Sequence, residues 1–66
     1  METYYAGING NLIPVRFISK IANGKILLQL TNDQHGYSAR DFIYTYPQFF
    51  VTHNAGMVTP VNLNEI

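Results

Sequence analysis

Residues 4 to 30 read YYAGINGNLIPVRFISKIANGKILLQL, and the two Asn-Gly dipeptides inside this stretch, Asn9-Gly10 and Asn23-Gly24, decide the fold. A type I′ hairpin turn needs positive φ at both central positions, which Asn followed by Gly supplies with little strain. Each dipeptide is flanked by β-branched and aromatic residues, so two hairpins in succession are expected and the stretch reads as a three-stranded antiparallel meander.

Taken as a two-residue turn, Asn9-Gly10 pairs Ile8 with Asn11, Ala6 with Ile13 and Tyr4 with Val15. Asn23-Gly24 treated the same way pairs Ala22 with Lys25, Ile21 with Ile26, Lys20 with Leu27, Ser19 with Leu28, Ile18 with Gln29 and Phe17 with Leu30. Side chains alternate between the two faces of a strand, so Phe17, Ser19, Ile21, Ile26, Leu28 and Leu30 share one face, continuous with Tyr4, Ala6 and Val15. That is the expected core face. Pro14 has no N–H, but this register turns its nitrogen toward the third strand at the level of Asp33, where that strand is ending. No ladder bond need be lost.

Outward from the meander the signals are weaker. Asn32 to Ser38 reads as a loop, and Ser38 followed by Asp41 resembles a capping box, so one helical or 3₁₀ turn is expected over Ser38 to Ile43. Tyr46 before Pro47 is biased to extended backbone. Gln48 to His53 then reads as a strand, Asn54-Ala55-Gly56 as a three-residue turn and Met57 to Val61 as a second strand, confined to an edge by Pro60. The expected fold is all-β, a small partly open SH3-like barrel made of the meander and a C-terminal hairpin. An open sheet with one short helix is the alternative. Residues 1–61 form the single domain and residues 62–66 a loosely held tail.

The chain of 66 residues has no cysteine to staple a small core, which favours self-association. Its 47% hydrophobic and 12% charged composition excludes the disordered class. Four Lys and Arg offset four Asp and Glu, so the basic footprint of backbone-driven nucleic-acid or anionic-membrane binding is missing. Apolar runs such as Ile26 to Leu28 are far shorter than the roughly twenty residues that span a bilayer, and no membrane partner is expected. With no cysteine, no signal-peptide pattern and no glycosylation acceptor, the expected location is the cytoplasm. In size the chain resembles accessory and inhibitor proteins of phages and plasmids, an analogy of length alone.

No residue pattern points to catalysis, a metal or another cofactor. His35 and His53 lack the short paired spacing of zinc ligands and read as solvent-side turn residues. Ser38 has no nucleophile context, and the glycines read as turn and strand-end residues rather than a phosphate cradle. The segment Tyr44-Thr45-Tyr46-Pro47-Gln48-Phe49-Phe50 divides in two. Phe42, Phe49 or Phe50, with Val51, are expected in the core, while Tyr44 and Tyr46, with polar tips, are candidates for a stacking platform. The outer face of the meander carries Leu12, Ile18 and Leu27 among Arg16, Lys20 and Gln29, with Tyr5 beside Pro14. These seven, Tyr5, Leu12, Arg16, Ile18, Lys20, Leu27 and Gln29, form the expected interface.

The expected function is therefore that of a non-enzymatic interaction protein, binding another protein or itself as a homo-oligomer. The alternative is single-stranded nucleic-acid binding, with Tyr44 and Tyr46 stacked on bases and Arg16, Lys20, Lys25 and Arg40 on phosphates.

Overall fold

The computed structural model describes residues 3 to 65, the last of these by its backbone alone. Its strands are β1 (Tyr4–Ile8), β2 (Asn11–Lys20), β3 (Ile26–Leu30), β4 (Phe42–Thr45), β5 (Phe50–Asn54) and β6 (Met57–Pro60). All six lie in one antiparallel sheet in the order β4-β3-β2-β1-β5-β6. Among the described residues no helix is long and apolar enough to cross a membrane.

The first hairpin has the expected register pair for pair, from Ile8 with Asn11 to Tyr4 with Val15. Asn9 and Gly10 stand at φ 50° and 82°, the left-handed pair a type I′ turn requires. Pro14 pairs with Tyr5, and its carbonyl accepts the Thr31 N–H at 3.1 Å, so β3 ends beside it with no donor demanded of Pro14.

The second hairpin departs from the expected register. Asn23 and Gly24 do take positive φ, 64° and 74°, and Lys25 N–H reaches Ala22 O at 3.4 Å. However, Ile21 N–H, not Ala22 N–H, donates to Lys25 O at 3.0 Å, which inserts an extra residue into β2, and a second irregularity lies between Phe17 and Ser19. Lys20 therefore pairs with Ile26, Ser19 with Leu27 and Phe17 with Leu28. Ser19 and Ile21 are half-buried and neither joins the core, whereas Phe17 does. Two single-residue slips restore the parity of the strand, so Phe17, Val15 and Ile13 still face the same side as Leu28 and Leu30.

That side is the core. Ala6, Ile13, Val15, Ile26, Leu28, Leu30 and Phe50 are buried together, with Tyr4, Ile8, Phe17, Tyr37, Ile43, Val61 and Leu63 packed around them. Phe50 anchors the far half of the sheet, its ring 5.2 Å from that of Tyr4 and 5.8 Å from that of Phe17. Leu63 sits in the 3₁₀ turn Leu63–Glu65, inside the stretch expected as a loose tail, and packs on this core.

Three further expectations are corrected. Ser38 to Asp41 is a tight turn closed by Asp41 N–H on Ser38 O at 3.1 Å, with the Ser38 N–H on the Asp41 carboxylate at 3.2 Å. Arg40 at φ 72° ends any helical path, and β4 follows at once where a helical turn was expected. Pro47–Phe49 forms a 3₁₀ turn, so β5 starts only at Phe50, and its hairpin turns on two residues, Ala55 and Gly56, at φ 50° and 81°. Finally, the sheet does not close into a barrel: β4 and β6 are its two edges. Val61 N–H donates to Phe50 O at 2.9 Å, and counting along that ladder in steps of two turns the backbone groups of Val58 and Pro60 outward. With Pro60 lacking a donor, β6 is a poor closing strand.

Candidate functional site

The other edge is built differently. Leu30 N–H donates to Asp41 O at 2.9 Å, so the hydrogen-bonded pairs of the β3–β4 ladder are Leu30 with Asp41, Leu28 with Ile43 and Ile26 with Thr45. The intervening residues, Phe42 and Tyr44, direct their N–H and C=O groups away from β3 toward the open side of the sheet. Phe-Ile-Tyr-Thr is rich in residues that favour strands and contains no charge and no proline. Of the usual devices that blunt an edge, β4 has only its short length of four residues.

Beside this edge lies a cleft of about 470 Å³. Phe42 to Thr45 form one wall, Gly7, Ile8 and Asn9 with Phe49 the other, and Tyr37 is also among the lining residues. The far wall exists because β1 outruns β5. Their pairing stops at Ala6 with Phe50, where the chain turns off through Pro47–Phe49, so the last residues of β1 have no strand beside them on that side. Among the described residues, no Asp, Glu, Lys or Arg side chain lines the cleft. A Cβ built on Gly7 would meet Phe49 only at 4.0 Å, an ordinary contact, so there is space over this glycine.

The aromatic side chains here are unusually open for their size. Phe42 is 57% exposed, Tyr44 65%, Tyr46 48% and Phe49 41%. Phe42 was expected in the core together with Phe49 or Phe50 and Val51; Phe50 and Val51 are buried, Phe42 and Phe49 are not. By register Phe42 lies opposite Gln29 on the outer face, and Phe49 belongs to the 3₁₀ turn, so neither can follow Phe50 inward. Tyr46 carries the Lys25 ammonium 5.4 Å from its ring centroid, a cation–π contact that occupies part of its surface.

The expected interface residues are spread over several cross-strand rows of the sheet. Phe42, Gln29 and Arg16 form one cross-strand row on the outer face, and Tyr44, Leu27 and Ser19 the next. Tyr5 belongs to a separate row with Pro14 and Val51, and its ring meets that of His53 edge-on at 6.4 Å. Leu12 lies opposite Gly7, Ile18 falls in the irregularity of β2 at 37% exposure, and Lys20 is exposed beside the turn. Tyr5, Leu12 and Leu27 are half-buried, not open.

A second depression, of about 360 Å³, lies at the start of β4 between Arg16, Gln29, Leu30, Thr31 and Arg40. The Gln29 amide oxygen accepts from both Nε and Nη2 of Arg16, and its Nε2 donates to Arg40 O at 3.0 Å. His35 sits at a turn with φ 53°, its ring beside the Gln34 amide at 3.2 Å, and His53 is exposed on β5. Among the described residues no three His, Asp or Glu side chains converge as metal ligands would.

Sequence reasoning missed Phe42, Phe49, Tyr37 and the Gly7–Asn9 wall. The aromatic residues at 42, 44 and 46, spaced by two, carry the strand signal that marks Phe42 as sharing a face with Tyr44. The proximity of β1 to β4 has no local signal. No protein-family model, curated protein or solved structure matches the chain.

Proposed function

We propose that the protein is an interaction module that binds an extended segment of another protein as an added strand on β4, with the segment's side chains seated in the aromatic cleft. The observation that carries this reading is the unpaired edge of Phe42 and Tyr44 bordering an uncharged, aromatic-walled cleft. Main-chain hydrogen bonds along an open edge supply affinity in strand addition, and pockets for alternate side chains supply selectivity. The cleft volume falls in the range occupied by single ligands, which favours one extended segment over the folded edge of a second copy. The same gap is where an SH3-like barrel would complete itself, so the added strand would take the place of the missing closure. No chemistry on the bound segment is proposed; the action is that of an accessory or inhibitor protein that occupies its partner.

The test is selection from a random peptide library with free C termini, followed by titration of the winning peptide into the wild-type protein and into Tyr44→Pro. Binding by the wild type, alternating apolar residues in the winner and loss of binding in Tyr44→Pro support the proposal. Three results contradict it: no peptide selected, equal binding by Tyr44→Pro, or a protein that dimerises through β4 instead. Saturable binding of oligothymidylate at low salt that competes with the peptide would favour the stacking role of Tyr44 and Tyr46 over this one.

A further inference from the structure

We infer that the Arg16–Gln29–Arg40 depression is an oxyanion site that takes a carboxylate at the C-terminal end of the added strand. This deepens the reading of β4 above and rests on it for the direction and identity of the ligand, but the anion site itself is testable alone.

The depression brings two guanidinium-bearing residues together with Gln29 and Thr31 and, among the described residues, has no carboxylate in its walls. Gln29 fixes the arrangement. Its amide oxygen holds one edge of the Arg16 guanidinium through Nε and Nη2, and its amide nitrogen ties back to the Arg40 backbone. Both of its functions are used internally, and among the described residues nothing else accepts from Arg16, which leaves its opposite edge to donate to a ligand. A planar guanidinium held in this way suits two-point recognition of a carboxylate or phosphate. The two carboxylates nearest in sequence are engaged elsewhere, Asp33 with the Ala39 N–H and Asp41 with the Ser38 N–H.

Position sets the direction. Arg40 precedes β4 by two residues, while Gln29 and Arg16 lie one and two strands inward from Phe42 along its row, so the site sits on the outer face beside the N-terminal end of β4, with Arg40 adjoining that strand. A strand added antiparallel to β4 would bring its own C-terminal end beside Arg40, and residues beyond its last pair would cross the start of β4 to reach Arg16. The apolar cleft would then be followed by a cationic stop, and the recognised segment would be alternating apolar residues ending in an acidic side chain or a free C terminus.

Two titrations test this. In the first, sodium acetate and inorganic phosphate are titrated separately into the protein at constant ionic strength while the Arg16 Nε–H and Gln29 side-chain amide resonances are followed. Saturable shifts with either, lost in Arg16→Gln and weakened in Arg40→Gln, support the site. Shifts that chloride reproduces, or none, overturn it whatever β4 does. In the second, the selected peptide is compared with its C-terminal amide and with acidic side chains changed to amides. Removing the decisive carboxylate should weaken binding about ten- to a hundredfold, as expected for charge-assisted hydrogen bonds, and should have no effect in Arg16→Gln. A peptide that binds equally in all forms, while still requiring the Tyr44 edge, would refute the carboxylate stop and leave strand addition standing.

Discussion

Replacing Tyr44 by proline and, separately, Ile43 by proline should have opposite consequences, because neighbouring residues of β4 present their N–H groups to opposite sides. Tyr44 N–H points away from β3, so its loss removes no ladder bond, and the side chain is 65% exposed and surrenders little burial. The expected destabilisation is about 1 kcal/mol or less, from strand propensity and the tighter φ of proline. Ile43 N–H instead faces Leu28. Proline there removes a hydrogen bond of about 1 kcal/mol and strands a buried carbonyl at about 1–3 kcal/mol more. It also disturbs a side chain packed on the core. A domain of this size has about 3–10 kcal/mol in all, so Ile43→Pro should leave a large fraction unfolded in water. With no tryptophan, unfolding in urea is followed by far-ultraviolet circular dichroism and tyrosine fluorescence. If Tyr44→Pro proves as damaging as Ile43→Pro, or more so, the assigned parity of β4 is wrong and the open edge does not consist of Phe42 and Tyr44.

Two further substitutions probe the framework that holds this edge. Leu28→Asp places an unpaired charge at a fully buried position and should abolish folding, whereas Leu27→Asp, between Ser19 and Tyr44 on the outer face, should lower stability by only about 1 kcal/mol; circular dichroism melts of the two distinguish them, and an unfolded Leu27→Asp would invert the face assignment. Gly10→Ala has open space around the new methyl but must hold φ 82°, so it should destabilise by about 1–2 kcal/mol in urea unfolding through backbone strain alone, and an unchanged midpoint would contradict the type I′ turn.

How much of this was legible in the sequence varies along the chain. Asn9-Gly10 determined a whole hairpin because a two-residue turn leaves no freedom in register once both strands are regular. Asn23-Gly24 adopted the same backbone conformation and yet gave shifted pairs, since the extra residues near Ile21 and at Ile18 are accommodated in β2 with no marker residue such as Gly or Pro. Face assignment survived outside the two shifts because they cancel in parity, so Leu28 and Leu30 are buried and Arg16 is exposed either way. Between them Ser19 and Lys20 changed sides, Ser19 joining Leu27 on the outer face and Lys20 pairing with the buried Ile26. The C-terminal half was harder. Phe42, Phe49 and Phe50 are chemically identical, and only the pairing of β4 with β3 and of β5 with β1 sends Phe50 inward and leaves the other two out. Exposure of Tyr44 and Tyr46 followed from their polar tips. The cleft itself was invisible, because its walls are more than thirty residues apart in sequence, at Gly7–Asn9 and Phe42–Thr45, and meet through the whole course of the sheet. Arg16 and Gln29 were placed on the outer face from pattern, but only the observed register sets them directly opposite each other and in line with Phe42.

Amide hydrogen exchange along β4, measured in the free protein and with the selected peptide bound, tests the central claim most directly. Strand addition predicts that Phe42 and Tyr44 exchange rapidly in the free protein and become protected on binding, while Ile43 and Thr45, already bonded to β3, change little. Peptide binding that leaves the Phe42 and Tyr44 amides as fast as before would contradict it.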